Sequence, residues 1–438
     1  MQQSNFLRAL LLAVLILSAT VCLAQPRVVS LDELFTLAEQ NSKTIDAERI
    51  ALRTSEAKLR ESESQRLPEV EISASASYLG NGTLTERNWS NPTNVKMPHF
   101  GNNFALEASQ LIYGGGVVSS AIALSKLECE MASINLEDAR LRVRFLLVGF
   151  YLDLAKLQNI VRVYDRNIAL AEELIADTEA RSREGVVLSN DVTRQQLRLE
   201  QLRLARAEVA NSQRILQSQI ATLVGLDPQT EILPEAGLAE RVMPFEGESH
   251  WQQLALEYTP ALRRGEVAVN MSLEAERIAR SERLPSVALV AANHFDGPIT
   301  IEVPTINKNF NYWYVGVGVS FKLSSLYKSN HKVEHQRIAT EHSRRELDQL
   351  HDDINLAIHA DYIRYEEARL RVETMRKSLE LAQSNYRVVE KRYRNDIALI
   401  TDMIDASNQL LDAELQLENS QIALQLRYYK LQHTSGTL

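Results

Sequence analysis

The sequence predicts a mainly α chain with four β-strands, written as two similar halves, whose strands are too few to close on themselves. Three observations lead there. Gly (16) and Pro (11) are scarce and unevenly placed in 438 residues, which favours long uninterrupted elements over the several small cores that such a length suggests. Distant segments match at fixed offsets. Four short runs alternate with period two, apolar on one side.

The elements follow in order. Arg8 precedes an apolar run from Ala9 to Val21, and Cys22 and Ala24 stand at −3 and −1 of a cut before Gln25, so residues 1–24 read as a cleaved signal peptide. Val21 before Cys22 is the wrong neighbour for a lipoprotein signal. The first repeat, 25–225, is expected to hold a helix over about 32–66, strands at about 67–79 and 103–113, a long helix over 117–183 and a helix over 190–224. A linker over 226–250 precedes the second repeat, 251–438: a helix, strands at about 284–295 and 312–323, a long helix over 325–394 and a helix over 399–435. No long extension is expected after it.

The duplication is legible residue by residue. Arg66-Leu67-Pro68-x-Val70 falls on Arg283-Leu284-Pro285-x-Val287 at an offset of 217; Phe104, Leu106 and Ala108 then fall on Val315, Val317 and Val319, and Arg181, Arg183, Asp191 and Gly225 on Arg392, Arg394, Asp402 and Gly436, at 211. The change of offset lies in loop-like stretches, 79–103 and 296–314, where length is free to vary.

The 117–183 segment has no Pro and one Gly, Gly149, and at ~1.5 Å per residue would run on the order of 100 Å. Leu154, Leu157, Val161, Tyr164, Ile168, Ala171 and Ile175 keep coiled-coil spacing. The next helix continues it through Leu202, Ala205, Val209, Ser212, Leu216, Gln219 and Leu223, with Ile220 one residue off register. Two short helices stacked end to end match one long helix, which suits a cylinder wall better than a compact bundle.

Val70, Ile72, Ala74, Ala76 and Tyr78 alternate with Glu69, Glu71, Ser73, Ser75 and Ser77; Phe104, Leu106 and Ala108, then Val287, Leu289 and Ala291, then Val315, Val317 and Val319 give further apolar faces. Each run approaches the ~9–11 residues that cross a bilayer as a tilted strand. Tyr78, Phe104, Tyr113, Phe295, Phe310, Tyr312, Trp313, Tyr314 and Phe321 gather at strand ends as an interfacial girdle would. In lipid, two unpaired edges are forbidden, so a spanning barrel requires oligomerisation; a dimer gives a tight eight-strand cylinder and a trimer a twelve-strand pore.

A formal charge of −9 without a Lys/Arg block excludes nucleic-acid binding. Two cysteines, Cys22 and Cys129, make no disulfide framework, and no nucleophile–base–orienter set or cofactor motif is present, so no enzyme is expected. His331, His335 and His342 share a helical face and are candidate metal ligands, equally explained as a solvated face. Asp402 and Asp405, three apart near a helix start, read as an inward carboxylate pair or as a cap with a solvated acid behind it.

These residues resemble the TolC family of outer-membrane channels across the mature chain. The likeness rests on the duplicated Leu-Pro before a strand, on Gln110-Leu-Ile-Tyr113-Gly-Gly-Gly116 leading into the long helix, on Gly185-x-x-x-Ser189-x-Asp191, and on Asp402-x-x-Asp405-Ala406. It implies a homotrimeric twelve-strand outer-membrane β-barrel continued by a long periplasmic α-helical coiled-coil barrel. It further implies a gated passive exit duct of a tripartite efflux or type I secretion system, served by a periplasmic adaptor (membrane fusion) protein and an inner-membrane RND or ABC transporter. By resemblance Asp402 and Asp405 line the periplasmic aperture, and Asp191, Tyr393 and Arg394 join the network that closes it. Ala398 stands where the family carries a basic residue, so either the closing network is weaker here or Arg392 or Arg394 substitutes. Gly185, Val186, Val187, Leu188 and Ser189, with Asp396, Ile397, Ala398, Leu399 and Thr401, become adaptor-docking tips, Asp396 replacing the usual glycine; as residues alone they read equally as tight turns. A non-channel coiled-coil structural protein of the envelope and a metal-efflux member stay open as alternatives.

Overall fold

Ser30 starts the first helix: its hydroxyl accepts the Glu33 amide at 3.1 Å and caps it. A computed structural model describes residues 27–438 except Val186, Ala236, Ala239, Glu240, Val242, Val303, Pro304 and Asp396; the expected signal peptide, Val186 and Asp396 lie outside the described residues. In order come β1 (Arg27–Val28), α1 (Leu31–Asn41), α2 (Lys43–Ser64), β2 (Glu69–Tyr78), β3 (Gly82–Leu84), β4 (Thr93–Val95), β5 (Phe100–Tyr113), α3 (Val117–Arg183) and α4 (Ser189–Leu223). Then follow β6 (Ile232–Leu233), α5 (Glu248–Tyr258), α6 (Pro260–Ser281), β7 (Ser286–Gly297), β8 (Phe310–Ser320), α7 (Ser325–Arg394) and α8 (Ile400–Thr434).

The helix expected over 32–66 is two helices. Ser42 turns extended (φ −68°, ψ 120°) and its N–H bonds the Ala38 carbonyl, while the Asn41 side chain donates to the Val224 carbonyl at 3.1 Å, capping α4 instead of continuing α1. α5 and α6 break in the same manner at Thr259, with Pro260 at the first helical position, where a missing N–H costs nothing.

The chain divides into two compact units. One comprises the residues up to Arg49, Asn135–Ala261 and His351–Leu438. Its core gathers Leu34, Leu147, Tyr151, Ile220, Ile232, Ile358 and Leu431, all buried. The 226–250 stretch is structured within it: β6 pairs in parallel with β1, Tyr151 donates to the Val29 carbonyl at 2.9 Å and accepts the Glu235 amide at 3.0 Å, and Gln217 donates to the Ile232 carbonyl at 3.0 Å. Ala171 and Ile175 of α3 pack on Leu199 and Leu202 of α4, with Tyr164, Ile168 and Leu411 against them. Lower in α4 the expected seam slips. Gln219 is exposed and Ile220 fully buried, because an unsupercoiled helix follows a 3.6-residue period and drifts off a strict heptad.

His433 of α8 titrates in this unit. Its ring packs at a tilt of 36° on Phe145, 4.6 Å between centroids, and its pKa is lowered by burial first and by Lys430 and Arg142, against the opposing pull of Asp138 and Asp361. The unfolded chain takes up this proton near its ordinary pKa of about 6.5, whereas the folded chain refuses it until lower pH, so stability is lost as pH falls below about 6.5. Chemical unfolding at pH 7.5 and 5.5 checks this: His433→Gln should lose less on acidification than the wild type, and an equal loss in both would clear His433.

The other unit comprises Ile50–Ile134 and Leu262–Leu350. Its helices pack through small polar pairs, Ser62 on Ser125 at 2.7 Å and Ser272 on Thr340 at 3.0 Å. Its sheet is antiparallel in the order β2-β5-β7-β8, leaving β2 and β8 as open edges. In the register, Ile72 faces Leu106, Phe104 faces Phe295, Leu289 faces Val317 and Val287 faces Val319. Directly opposed residues share a face, so these side chains lie on one mainly apolar face, interrupted by Asn102, Gln110, Asn293 and Asn311. It is uncovered in the single chain, with Ile72 80% and Val319 69% exposed. The opposite face carries Glu71, Glu107, Ser75 and Asp296.

The aromatic residues divide between the two faces. Tyr78, Phe104, Phe295 and Trp313 lie on the apolar face, as a girdle requires; Phe310, Tyr312 and Tyr314 lie on the polar one. The reason is the period of two. A run Phe310-Asn-Tyr312-Trp313-Tyr314 must place alternate rings on opposite sides.

Candidate functional site

Two helix hairpins end close together in the core-bearing unit. α3 stops with a left-handed Gly185 (φ +76°) whose N–H bonds the Ser182 carbonyl at 3.1 Å, an αL helix stop. α7 stops at Arg394, and the Ile397 N–H reaches back to the Arg392 carbonyl at 2.8 Å. The following helices start on leucine: Leu188 for α4 and Leu399 for α8 occupy N-cap positions without a side-chain acceptor. Asp402 compensates, accepting the Leu399 amide at 3.0 Å. Leucine is a poor N-cap, yet Leu188, Ile397 and Leu399 are 72%, 66% and 70% exposed. Gly185, Ser189 and Thr401 are also exposed, and Val187 is half-buried.

Tyr393 is the buried centre of the α7 end, 3% exposed, in a cluster with Ile400 and Met403 against which Leu174, Tyr386, Val389, Ala398 and Ile404 pack. Ala398 therefore packs as an apolar residue against this cluster. The Tyr393 hydroxyl meets Thr178 Oγ1 at 3.2 Å. Arg181 of α3 lies over the Tyr393 ring, 5.0 Å from its centroid, and donates to the Tyr393 carbonyl at 3.2 Å and the Arg394 carbonyl at 3.1 Å. Asp177 holds Arg181 Nε at 3.0 Å. Arg394 pairs with Glu390 at 2.8 Å and Glu173 at 3.3 Å. Beside this latch is a cavity of about 230 Å³ bounded by Glu173, Asp177, Arg181, Tyr386, Glu390 and Arg394. Tyr386 has its pKa raised by burial first, then by Glu390 and Glu173, with Arg394 and Arg198 opposing.

Arg198 of α4 makes the second cross-hairpin clamp, donating to the Ile404 carbonyl at 3.1 Å, Asn408 at 2.5 Å and Ser407 at 2.9 Å of α8. Burial lowers its pKa, but an arginine remains charged.

The sequence-derived candidates fall into separate groups. Tyr393 and Arg394 belong to the α3–α7 latch. Asp402 and Asp405 share the exposed side of α8, opposite buried Met403 and Ala406. Asp191 is half-buried at the start of α4 and bonds neither Tyr393 nor Arg394. Arg181, Thr178 and Arg198 were missed as latch residues; Arg181 carried one signal, its alignment with Arg392. His331, His335 and His342 are all exposed, His342 pairs with Glu346 at 3.3 Å, and among the described residues no group of three metal-ligating side chains converges.

The sequence profile of the outer membrane efflux protein family matches residues 34–226 and again 251–437. The chain belongs to that family. This outer membrane efflux protein is 20% identical over 338 residues to the outer membrane efflux protein BepC of Brucella suis, covering 76% of this chain and 72% of that one. Its fold is similar to that of the outer-membrane channel OprN (TM-score 0.76, 17% identity, 93% of this chain and 90% of that one). It is likewise similar to the outer membrane protein VceC of Vibrio cholerae (TM-score 0.75, 16% identity, 93% and 96%). Membership makes the chain an outer-membrane transport channel rather than an enzyme. Among the described residues no helix is long and apolar enough to cross a membrane.

Proposed function

We propose that three copies join their sheets edge to edge, β8 of one to β2 of the next, into a twelve-strand outer-membrane barrel continued by a periplasmic helical barrel. The protein then acts as the gated passive exit duct of a tripartite efflux or type I secretion system. The observation that carries this is the sheet: one apolar face, one polar face and two open edges in a chain of this family. In hydrocarbon each unpaired backbone group costs several kcal/mol, and only closure removes edges. Two family matches, together with left-handed Gly225 and Gly436 ending α4 and α8, support an internal two-fold repeat, with 226–250 joining 25–225 to 251–438.

At the hairpin ends the exposed leucines and Ile397 suit an apolar docking surface for a periplasmic adaptor, which in turn would join the duct to an inner-membrane RND or ABC transporter. Asp402 and Asp405, exposed and unshielded in the single chain, would become six carboxylates around the aperture of a trimer, attracting cations. The latch of Arg181, Tyr393 and Arg394, with Asp191 toward a neighbouring copy, would hold that aperture closed.

The test is single-channel recording from the detergent-purified oligomer, with its mass measured in parallel. We expect a trimer with small-conductance openings that a trivalent cation on the periplasmic side blocks, and at least tenfold weaker block in Asp402→Asn/Asp405→Asn. A monomer, or an inserted trimer that never conducts, would sink this reading.

A further inference from the structure

The polar face of the sheet carries a feature that neither the girdle nor the gate accounts for. His294 stacks between two tyrosines of β8, 5.1 Å and 21° from Tyr312 and 6.2 Å and 17° from Tyr314, and Phe310 stacks on Tyr312 at 5.3 Å and 25°. Four rings from two strands thus form one near-parallel column. Rings anchoring a barrel at the membrane interface must face lipid; Trp313 and Phe295 do so from the other side of the same strands, whereas this column faces away from it.

Charge on that face is one-sided. Glu107 lies 3.8 Å from His294 Nε2, Glu71 stands directly opposite Glu107, and Asp296, held by Asn103 at 2.5 Å, continues the row. The sequences of β2, β5, β7 and β8 contain no Lys or Arg. The inner ring faces of the column cover one another, but its end faces, on Tyr314 in the row of Glu107 and Glu71 and on Phe310 opposite Asp296, are complementary to a flat solute that is itself aromatic and positively charged: the ring face attracts the cation through its quadrupole, stacking adds contact area, and the carboxylates supply the counter-charge. Aliphatic cations gain the quadrupole and counter-charge terms but not the stacking, and anions are repelled.

We infer that Tyr312, Tyr314 and His294, with Glu107 and Glu71, form a binding strip for planar aromatic cations on the inner wall of the barrel. The inference rests on the barrel reading above, in which the polar face lines the lumen, and adds the chemical class of solute that this wall retains.

The test uses the purified trimer in a planar bilayer, with ethidium or tetraethylammonium, both monovalent cations, added on the extracellular side, away from the helical tips. Ethidium should block the potassium current about tenfold more tightly than tetraethylammonium, the margin being the ring stacking that only ethidium can make. Tyr312→Leu/Tyr314→Leu should abolish that preference, Glu107→Gln should weaken ethidium block a few-fold without touching the rings, and Trp313→Leu, on the lipid side, should leave the preference intact. Channels that conduct potassium normally yet bind the two cations alike, or keep the preference in both the tyrosine and Glu107 variants, would overturn the strip and leave the channel standing. A trimer with no potassium conductance would remove the lumen itself and the strip with it.

Discussion

Arg181→Ala should raise the resting conductance of the purified oligomer severalfold, the largest effect expected of a substitution at the hairpin ends. Arg181 touches α7 three ways, through the Tyr393 carbonyl, the Arg394 carbonyl and the Tyr393 ring, and is itself aimed by Asp177. Each bond from a charged donor contributes about 1.5–3 kcal/mol when shielded, and a planar guanidinium makes two carbonyl bonds and a ring contact at once, which an ammonium cannot. Arg181→Lys should therefore open the tip nearly as far as alanine. Tyr393→Phe removes only the 3.2 Å contact with Thr178 and keeps the buried ring, so its increase should be smaller. A shift of about 1.4 kcal/mol multiplies the open population tenfold, readable as open probability in single-channel records. Wild-type conductance in Arg181→Ala would show that α3 and α7 move as one body and that the gate lies elsewhere.

Much of the fold class was legible because long helices and half-buried strands leave periodic traces. The Val117–Arg183 helix follows from a stretch with a single glycine, and the alternation around Ile72 marks a strand with two unlike faces. The breaks at Ser42 and Thr259 were harder to see: Asn41 acts on Val224, far along the sequence, and no local pattern announces that bond. Site residues divide along the same line. The Asp402–Asp405 pair stands out from helix spacing, whereas Tyr393 comes from the family resemblance alone. Arg181 sits among many surface-like arginines, and only the packed geometry shows its guanidinium facing a backbone that sequence patterns do not display. Ala398 gives the reverse lesson, for what reads as a lost charge is a methyl group completing the apolar cluster around Met403. The aromatic runs mislead for a simpler reason: composition groups rings that a period of two sends to opposite sides of a sheet.

Gly436→Ala should be the most destabilising single-methyl change in the chain, and Gly185→Ala its control. Both glycines are left-handed, with φ +79° and +76°, so both variants bear the same backbone strain of roughly 1–2 kcal/mol. Their surroundings differ. A Cβ at Gly185 meets nothing within 4 Å, whereas at Gly436 it falls 2.5 Å from the Tyr258 carbonyl oxygen, 2.7 Å from its carbon and 3.0 Å from Thr259 Cα. All three are backbone atoms, at the break between α5 and α6, and cannot swing aside as a side-chain tip would. Gly436 is moreover fixed where it is, because its N–H bonds the His433 carbonyl at 3.1 Å and the Thr437 N–H bonds Gln432 at 2.8 Å, a Schellman closure of α8. The added clash should bring the loss to about 3 kcal/mol or more, and Thr259, which donates to the Thr434 carbonyl at 3.4 Å, should lose its place as well. Thermal unfolding of the two variants in one detergent measures the difference directly. A Gly436→Ala midpoint well below that of Gly185→Ala is expected; coincident midpoints would mean that the end of α8 can lift off α5 at little cost, and that the glycine serves only its own turn.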